Sequence, residues 1–323
     1  MNRSQFIRSL CTAALASIHG VAPAQQTNGL KLLVGFPAGG AVDVVARAFA
    51  DQMRQVSGKN VIVDNRAGAS GKIAIDALLN APADGLTLAV MPSSVLELVP
   101  MIVNAAKYDA VRDFTAIGSV AEYGFGIAAG PASGAKDLAS YMAWAKTHAA
   151  QSSFATPGSG TPQHFIGAQL QKAMGADLVH IPYRGGATAL NDVMGGQVPL
   201  LITTEQLLVP HEGQGKLNTL LITSRQRNPL MPKVPTAREA GVAQIEITDW
   251  FGLFAKAGTP VATVQQLRTD LAKVIASKEY IEAMAKLGYS IPQKQATDFT
   301  QQIHAERTAW AERVHLSGFK PTD

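Results

Sequence analysis

The chain has 323 residues, 47% of them apolar and 16% charged, with 29 glycines and 17 prolines. That composition is globular, and at about 150 residues per domain the length suggests roughly two domains, which excludes coiled-coil, disordered and collagen-like chains. Lysine and arginine exceed aspartate and glutamate by 28 − 24 = 4, a scattered surplus without the basic stripe of a nucleic-acid binder.

The N-terminus has the three-part form of an export signal. Arg3 and Arg8 form a basic start, an apolar run extends from Leu10 to Val21, and Ala22-Pro23-Ala24 has the small-x-small pattern of a cleavage site. Residues 1–24 are therefore expected to be removed, leaving a charge surplus of 26 − 24 = 2 and a periplasmic protein. Cys11, the one cysteine, lies inside this segment with no lipobox before it, so the mature chain carries no thiol. No other run reaches the roughly 18 apolar residues of a membrane span.

After the signal, short aliphatic runs alternate with stretches of helical period, the pattern of an α/β protein with largely parallel sheets. Leu30 to Phe36 reads as a strand, and Ala41 to Met53 as a helix with its apolar stripe at Val42, Val45, Ala46, Phe49 and Met53. Val61 to Val63, a helix over Ile73 to Asn80 and a strand over Leu86 to Met91 follow. Thr115 to Ala129 is a long extended segment broken by Gly118, Gly124 and Gly126, and its length predicts a passage between two domains. A second series places strands at Ser153 to Thr156, Leu178 to Pro182, Leu200 to Thr204 and Leu217 to Thr223, with helices at Pro162 to Met174 and Ala187 to Met194. Trp250 to Ala255 is a return strand. Helices then run over Val261 to Ser277, Lys278 to Leu287 and Thr297 to Ser317.

Three strand-to-helix loops are rich in glycine, and in open α/β sheets such loops present backbone N–H groups to anions. They are Phe36-Pro37-Ala38-Gly39-Gly40, Thr156-Pro157-Gly158-Ser159-Gly160-Thr161, and Tyr183-Arg184-Gly185-Gly186, where Arg184 is a candidate cation for a carboxylate. None has dinucleotide or P-loop spacing. Asp43, in the first turn of the first helix, reads as a buttress paired with Arg47. The histidines lack metal-ligand spacing, and no cofactor is expected. Ser159 and His164 have no evident orienting carboxylate, which leaves a hydrolase as an alternative and a non-catalytic role as the main reading.

The ordered motifs resemble those of the periplasmic receptors of tripartite tricarboxylate transporters, the TctC or Bug family. The run Val34 to Gly40 with Asp43 and Ala46-Arg47 matches its opening. Asp64-Asn65-Arg66 with Gly68-Ala69 and Gly71, Gly158-Ser159-Gly160-Thr161 with His164, His180 to Gly185, Gly195 to Val198, and Trp250 with Gly252 to Ala255 follow in the family's order. The resemblance covers nearly the whole mature chain. It implies a two-lobed periplasmic-binding-protein fold of type II, with the ligand cleft between lobes joined by two crossing strands. With the long segments above, it suggests lobe I at 25–123 plus 253–323 and lobe II at 124–252.

The resemblance further implies a monomeric, non-enzymatic receptor that takes a small organic carboxylate to membrane transporter subunits; a ligand-sensing subunit for a membrane kinase is the other alternative. Carried over residue by residue, it points to Phe36, Ala38, Gly39, Gly40, Ser93, Ser94, Thr156, Ser159, Gly160, Thr161 and His164 as ligand contacts, with Arg184 added from its own loop. Where many relatives have an acidic residue after Gly-Gly-Gln-Val, this chain has Thr203 and Thr204, then Glu205. Thr203 is therefore expected at the ligand, and the ligand is expected to lack a basic group.

Overall fold

A computed structural model of the protein describes residues 29–291, 299–317 and 319–321. The expected signal peptide and the first residues of the Thr297 helix lie outside the described residues. Three parallel strands, β1 (Leu30–Val34), β2 (Val61–Asn65) and β3 (Thr87–Pro92), open the fold. Parallel neighbours need crossover connections, which α1 (Ala41–Ser57) and α2 (Lys72–Asn80) supply. The face of α1 that carries Val42, Val45, Ala46, Phe49 and Met53 is buried, so the periodicity in the sequence corresponds to one packed stripe.

Two long strands organise the rest. β4 (Phe114–Ala129) pairs antiparallel with β9 (Thr248–Lys256) from Phe114 to Gly124. From Phe125 onward its partners are β7 (Leu200–Thr204) on one edge and β8 (Asn218–Ile222) on the other. Its register against β9 shifts between Ala116 and Gly118 and again between Ser119 and Ala121. Such bulges bend and twist a strand, which is how 16 residues serve two halves of a sheet. β9 in turn pairs with β3 through Phe251 to Ala255.

With β5 at Ser153–Thr156 and β6 at Val179–Pro182, the strand order is β2-β1-β3-β9-β4-β7-β5-β6, with β8 on β4. β5 and β6 are parallel neighbours joined through α6 (Pro162–Met174), and α7 (Gly186–Met194) leads on to β7. The sequence reading thus found the strands, the long crossing segment and its return.

It did not place α5 (Leu138–Thr147), whose N-terminus is closed by a capping box between Asp137 and Ser140. Nor did it place the short helices α3 (Ser93–Glu97), α4 (Val99–Ile102) and α8 (Glu205–Leu208), which follow β3 and β7 directly. At the C-terminal end, α9 (Val261–Ala276) and α10 (Lys278–Leu287) pack on α1, where Tyr280 meets Phe49 edge-on at 6.3 Å. α11 (Phe299–Ser317) lies against α3 and α6, bringing Trp310 to 6.3 Å from Phe165 between ring centroids. Among the described residues no helix is long and apolar enough to cross a membrane.

Candidate functional site

The cleft lies where the strand-to-helix loops of both halves meet. The N-termini of α1, α6 and α7 all border it, through Ala41 and Val42, Pro162 and Gln163, and Gly186 to Thr188. The first-turn N–H groups of a helix have no intrahelical acceptor, and none of these three helices has a side-chain cap. Unsatisfied N–H groups on three helix axes, together with exposed Arg184, give the cleft a positive electrostatic character. Its apolar walls come from Phe36, Val95, Val99, Leu207, Tyr123 and Phe251, the last two stacked at 4.2 Å. Among the described residues no aspartate or glutamate lines it.

The two halves touch across its mouth. The Ser70 hydroxyl donates to the carbonyl of Ser159 at 2.6 Å. Gly160 and Gly185 both have left-handed φ, +69° and +117°, and a Cβ on either would run into the facing lobe, at 1.9 Å from Ile102 Cδ1 and 3.1 Å from Pro37 Cδ. Glycine is required at Gly160 by conformation and by closeness alike.

The residues expected at the ligand divide into those that line the cleft and those that stand around it. Phe36, Gly40, Ser94, Gly160, Thr161, Arg184 and Thr203 line the cleft; Ala38, Gly39, Ser93, Thr156, Ser159 and His164 do not. The Gly39 amide donates to Asp43 Oδ2 at 2.9 Å and the Gly40 amide closes a turn on the Pro37 carbonyl. The Gly39 and Gly40 amides are therefore already engaged, and the first turn of α1 brings further N–H groups to the cleft. Asp43 also accepts from Arg47 and Asn65. Burial would raise its carboxyl, but the bonds from Arg47, Gly39 and Asn65 outweigh it and hold the group below its ordinary value.

Thr156 donates to the Gly158 carbonyl at 3.1 Å and contacts His180 Nε2 at 2.7 Å. The loop is held from behind by His164, whose Nδ1 accepts from the Gly160 amide at 3.2 Å and whose ring stacks on His180 at 3.7 Å. Burial lowers both imidazoles, His164 to about 4 and His180 to about 3, the latter also through its neighbour. Engaged in that stack, His164 is a support for the loop and not a base for Ser159.

Beside the cleft, behind Ser94 and Tyr123, is a set of buried acids. Asp249 on β9 accepts from Ser93 and the Trp250 amide on Oδ1, each at 2.7 Å, and from Ser94 (2.7 Å) and Tyr123 (3.0 Å) on Oδ2. Burial pushes its carboxyl up to about 6 against the pull of the serine bonds. Glu306 on α11 accepts from the Trp250 indole, and its Oε2 lies 3.1 Å from the Ser93 hydroxyl. Glu97, pushed up to about 11 by burial and by the charges of Glu306 and Asp249, is a neutral acid at neutral pH. Both adjacent serine hydroxyls thus converge on Asp249, and only Ser94 also lines the cleft.

Glu205 is likewise turned away from the cleft. Its Oε1 accepts from the Gly124 amide (3.2 Å) and from Ser224 (2.9 Å), at the point where β4 changes partners. Burial raises its carboxyl in spite of those bonds. The cleft residues that sequence reasoning missed are chiefly Ser70, Tyr123, Gln163, Thr188 and Phe251. The glycines of the third loop signalled the α7 N-terminus, but nothing local marks Tyr123 or Phe251.

This arrangement is that of a two-lobed solute-binding protein, with anion-receiving helix ends on both lobes and a cleft over two crossing strands. The chain belongs to the tripartite tricarboxylate transporter receptor family, TctC, whose model matches residues 45–316; its members are periplasmic solute receptors and not enzymes. It is similar to the periplasmic binding protein BugD, at 29% identity and a TM-score of 0.85 over 91% of this chain and 99% of that one. It is also similar to Rpa4515 of R. palustris with adipate, at 26% identity and a TM-score of 0.86 over 91% of this chain and 98% of that one. MatC from Rhodopseudomonas palustris with bound malate matches at 26% and a TM-score of 0.82, over 88% of this chain and 98% of that one.

Proposed function

We propose that the protein captures a small organic carboxylate in this cleft and delivers it to the membrane subunits of a tripartite tricarboxylate-type transporter. It acts as an exported monomer after loss of residues 1–24. The observation that carries this reading is the meeting of three uncapped helix N-termini and Arg184 on a cleft without an acidic side chain. The adipate and malate seen in two structural neighbours agree with it. An ammonium buried here would lack a direct anionic partner, a penalty of several kcal/mol that a threonine hydroxyl does not offset, so the ligand carries no basic group.

The lobes divide at 25–123 plus 253–323 and 124–252, and they close by bending at the crossing strands. Closure is then a population shift set by contacts made only in the closed state. A thermal-shift screen of carboxylates tests the reading. At 100 times its Kd a ligand adds about 2.7 kcal/mol of stability, whereas the absence of a shift with every mono-, di- and tricarboxylate would refute it.

A further inference from the structure

The hydrogen bonds at the hinge side of the cleft define what a ligand meets there. Tyr123 on β4 lies opposite Asp249 on β9, and Pro92, which precedes α3, lies opposite Phe251. Ser94, Tyr123 and Phe251 thus form one contiguous part of the lining. A hydroxyl has one proton and two lone pairs. Ser94 gives its proton to Asp249 Oδ2 at 2.7 Å, and Tyr123 gives its proton to the same oxygen at 3.0 Å.

Neither proton has an alternative. Asp249 Oδ1 is filled by Ser93 and the Trp250 amide, so four donors converge on a carboxylate with nothing to donate in return. Whatever part of the Ser94 and Tyr123 hydroxyls a ligand reaches is a lone pair. Behind them lies the Asp249 carboxylate, which borders a second cavity with Ser93 and Glu306. The polarity is opposite to that at the helix N-termini, and a ligand carboxylate or ether oxygen placed here would meet lone pairs and a buried negative charge. Thr204 also lines the cleft, 6% exposed, and its hydroxyl has no partner. Its oxygen is buried, and among the described residues its proton is uncommitted.

We propose that Ser94 and Tyr123, oriented by Asp249, form an acceptor-only subsite that selects a carboxylate bearing an uncharged hydroxyl, with the ligand hydroxyl donating to them and accepting from Thr204. The ligand class is a hydroxy acid, aliphatic or phenolic, in preference to a plain dicarboxylate. This rests on the reading that the ligand's carboxylate sits at the helix N-termini. Asp249 is a positioning residue, because it acts through the two hydroxyls.

The test is calorimetry with two matched series on the mature protein: para-hydroxybenzoate, para-methoxybenzoate, terephthalate and para-aminomethylbenzoate, and γ-hydroxybutyrate, γ-methoxybutyrate, succinate and γ-aminobutyrate. In the series that fits the cleft, the hydroxyl member is expected to bind about tenfold or more tightly than the other three, the effect of one buried acceptor left unmatched. Asp249→Asn gives one of the hydroxyls a competing donor and turns its proton to the cleft, so the preference for hydroxyl over methoxy falls toward parity. Should that variant not fold, Tyr123→Phe serves instead and weakens the hydroxyl member while leaving the methoxy member unchanged. Tightest binding by the methoxy, dicarboxylate or amino member, or an unaltered preference in the folded variants, overturns the subsite alone. No binding by any member overturns the carboxylate reading and the subsite with it.

Discussion

The cleft and the buried acids beside it differ more than the two lobes do. In the cleft there are helix N-termini, Arg184, hydroxyls and apolar walls, and among the described residues no acid lines it. Behind Ser94 and Tyr123, Asp249 and Glu306 meet at the Ser93 hydroxyl with Glu97 buried nearby, while Glu205 accepts from the Gly124 amide near the partner switch of β4. At the end of β7 one residue decides the side, since Thr203 and Thr204 line the cleft and Glu205 does not. Carboxylates thus stand close to the cleft without lining it, and Asp249 and Glu205 are occupied by donors from neighbouring elements.

The largest effect is expected where the lobes meet. Gly160→Val places a β-branched residue at φ +69° and a Cβ 1.9 Å from Ile102 Cδ1. The left-handed strain costs about 1–2 kcal/mol, and the wedge falls on the closed form. Affinity is expected to drop roughly a hundredfold, most of it through loss of the closed population. Addition of Ile102→Ala is expected to recover about tenfold, the wedge component, leaving the strain. Calorimetry with the best ligand of the screen measures both, and a Gly160→Val protein with unchanged affinity would show that the cleft works without this contact.

Much of this was legible in the sequence, for reasons that also mark the limits. The strands and the main helices carry periodic apolar patterns that packing merely confirms, as in the buried stripe of α1. The length and glycines of the segment at 115–129 reflected a strand shared by two halves of the sheet. α5 escaped because only Leu138, Tyr141 and Ala145 are buried along it, and Met142 and Trp144 blur so narrow a stripe. Asp43 was readable as a buttress because its partner Arg47 lies four residues on. By contrast, the use of the Gly39 amide by that same Asp43, and the direction of Glu205, depend on one residue's orientation. Tyr123 and Asp249 are 126 residues apart and meet only through the register of β4 and β9, which no local pattern specifies.

Acidification acts with opposite sign on the stacked histidines and on Asp249. His164 and His180 have folded pKa values of about 4 and about 3, below the ordinary histidine value of about 6.5. Between those limits the unfolded chain binds protons that the native protein refuses, so this contribution to stability is present above about pH 6.5 and lost as pH falls toward 4. Asp249 behaves in the opposite way. Its folded value, about 6 against an ordinary 3.8, means that the native state takes up the proton first and gains stability as pH falls through that range. Melting temperatures from neutral pH to pH 4.5 are therefore expected to fall less steeply in a His164→Asn, His180→Asn double variant than in the parent. In Asp249→Asn they are expected to fall more steeply. Parallel profiles in all three proteins would show that neither the histidines nor Asp249 titrate as their burial requires.

The smallest effect concerns the bond between Ser70 and the Ser159 carbonyl, and it separates closure from strain. Ala69 and Ser70 both have left-handed φ, +46° and +52°, in a turn that brings the Ser70 hydroxyl to 2.6 Å from the facing lobe. A neutral, partly solvated hydrogen bond contributes about 0.5–1.5 kcal/mol, so Ser70→Ala is expected to weaken binding about two- to tenfold by the same bookkeeping. The stability of the ligand-free protein should hardly change if the bond forms only on closing. Ala69→Gly relieves strain without touching the hydroxyl, and is expected to raise the melting temperature by a few degrees, for about 1 kcal/mol, while leaving affinity alone. The two variants thus move different observables. If Ser70→Ala lowered the melting temperature and spared the affinity, the bond would be a fixed part of the fold, and closure would rest on Gly160, Gly185 and the ligand.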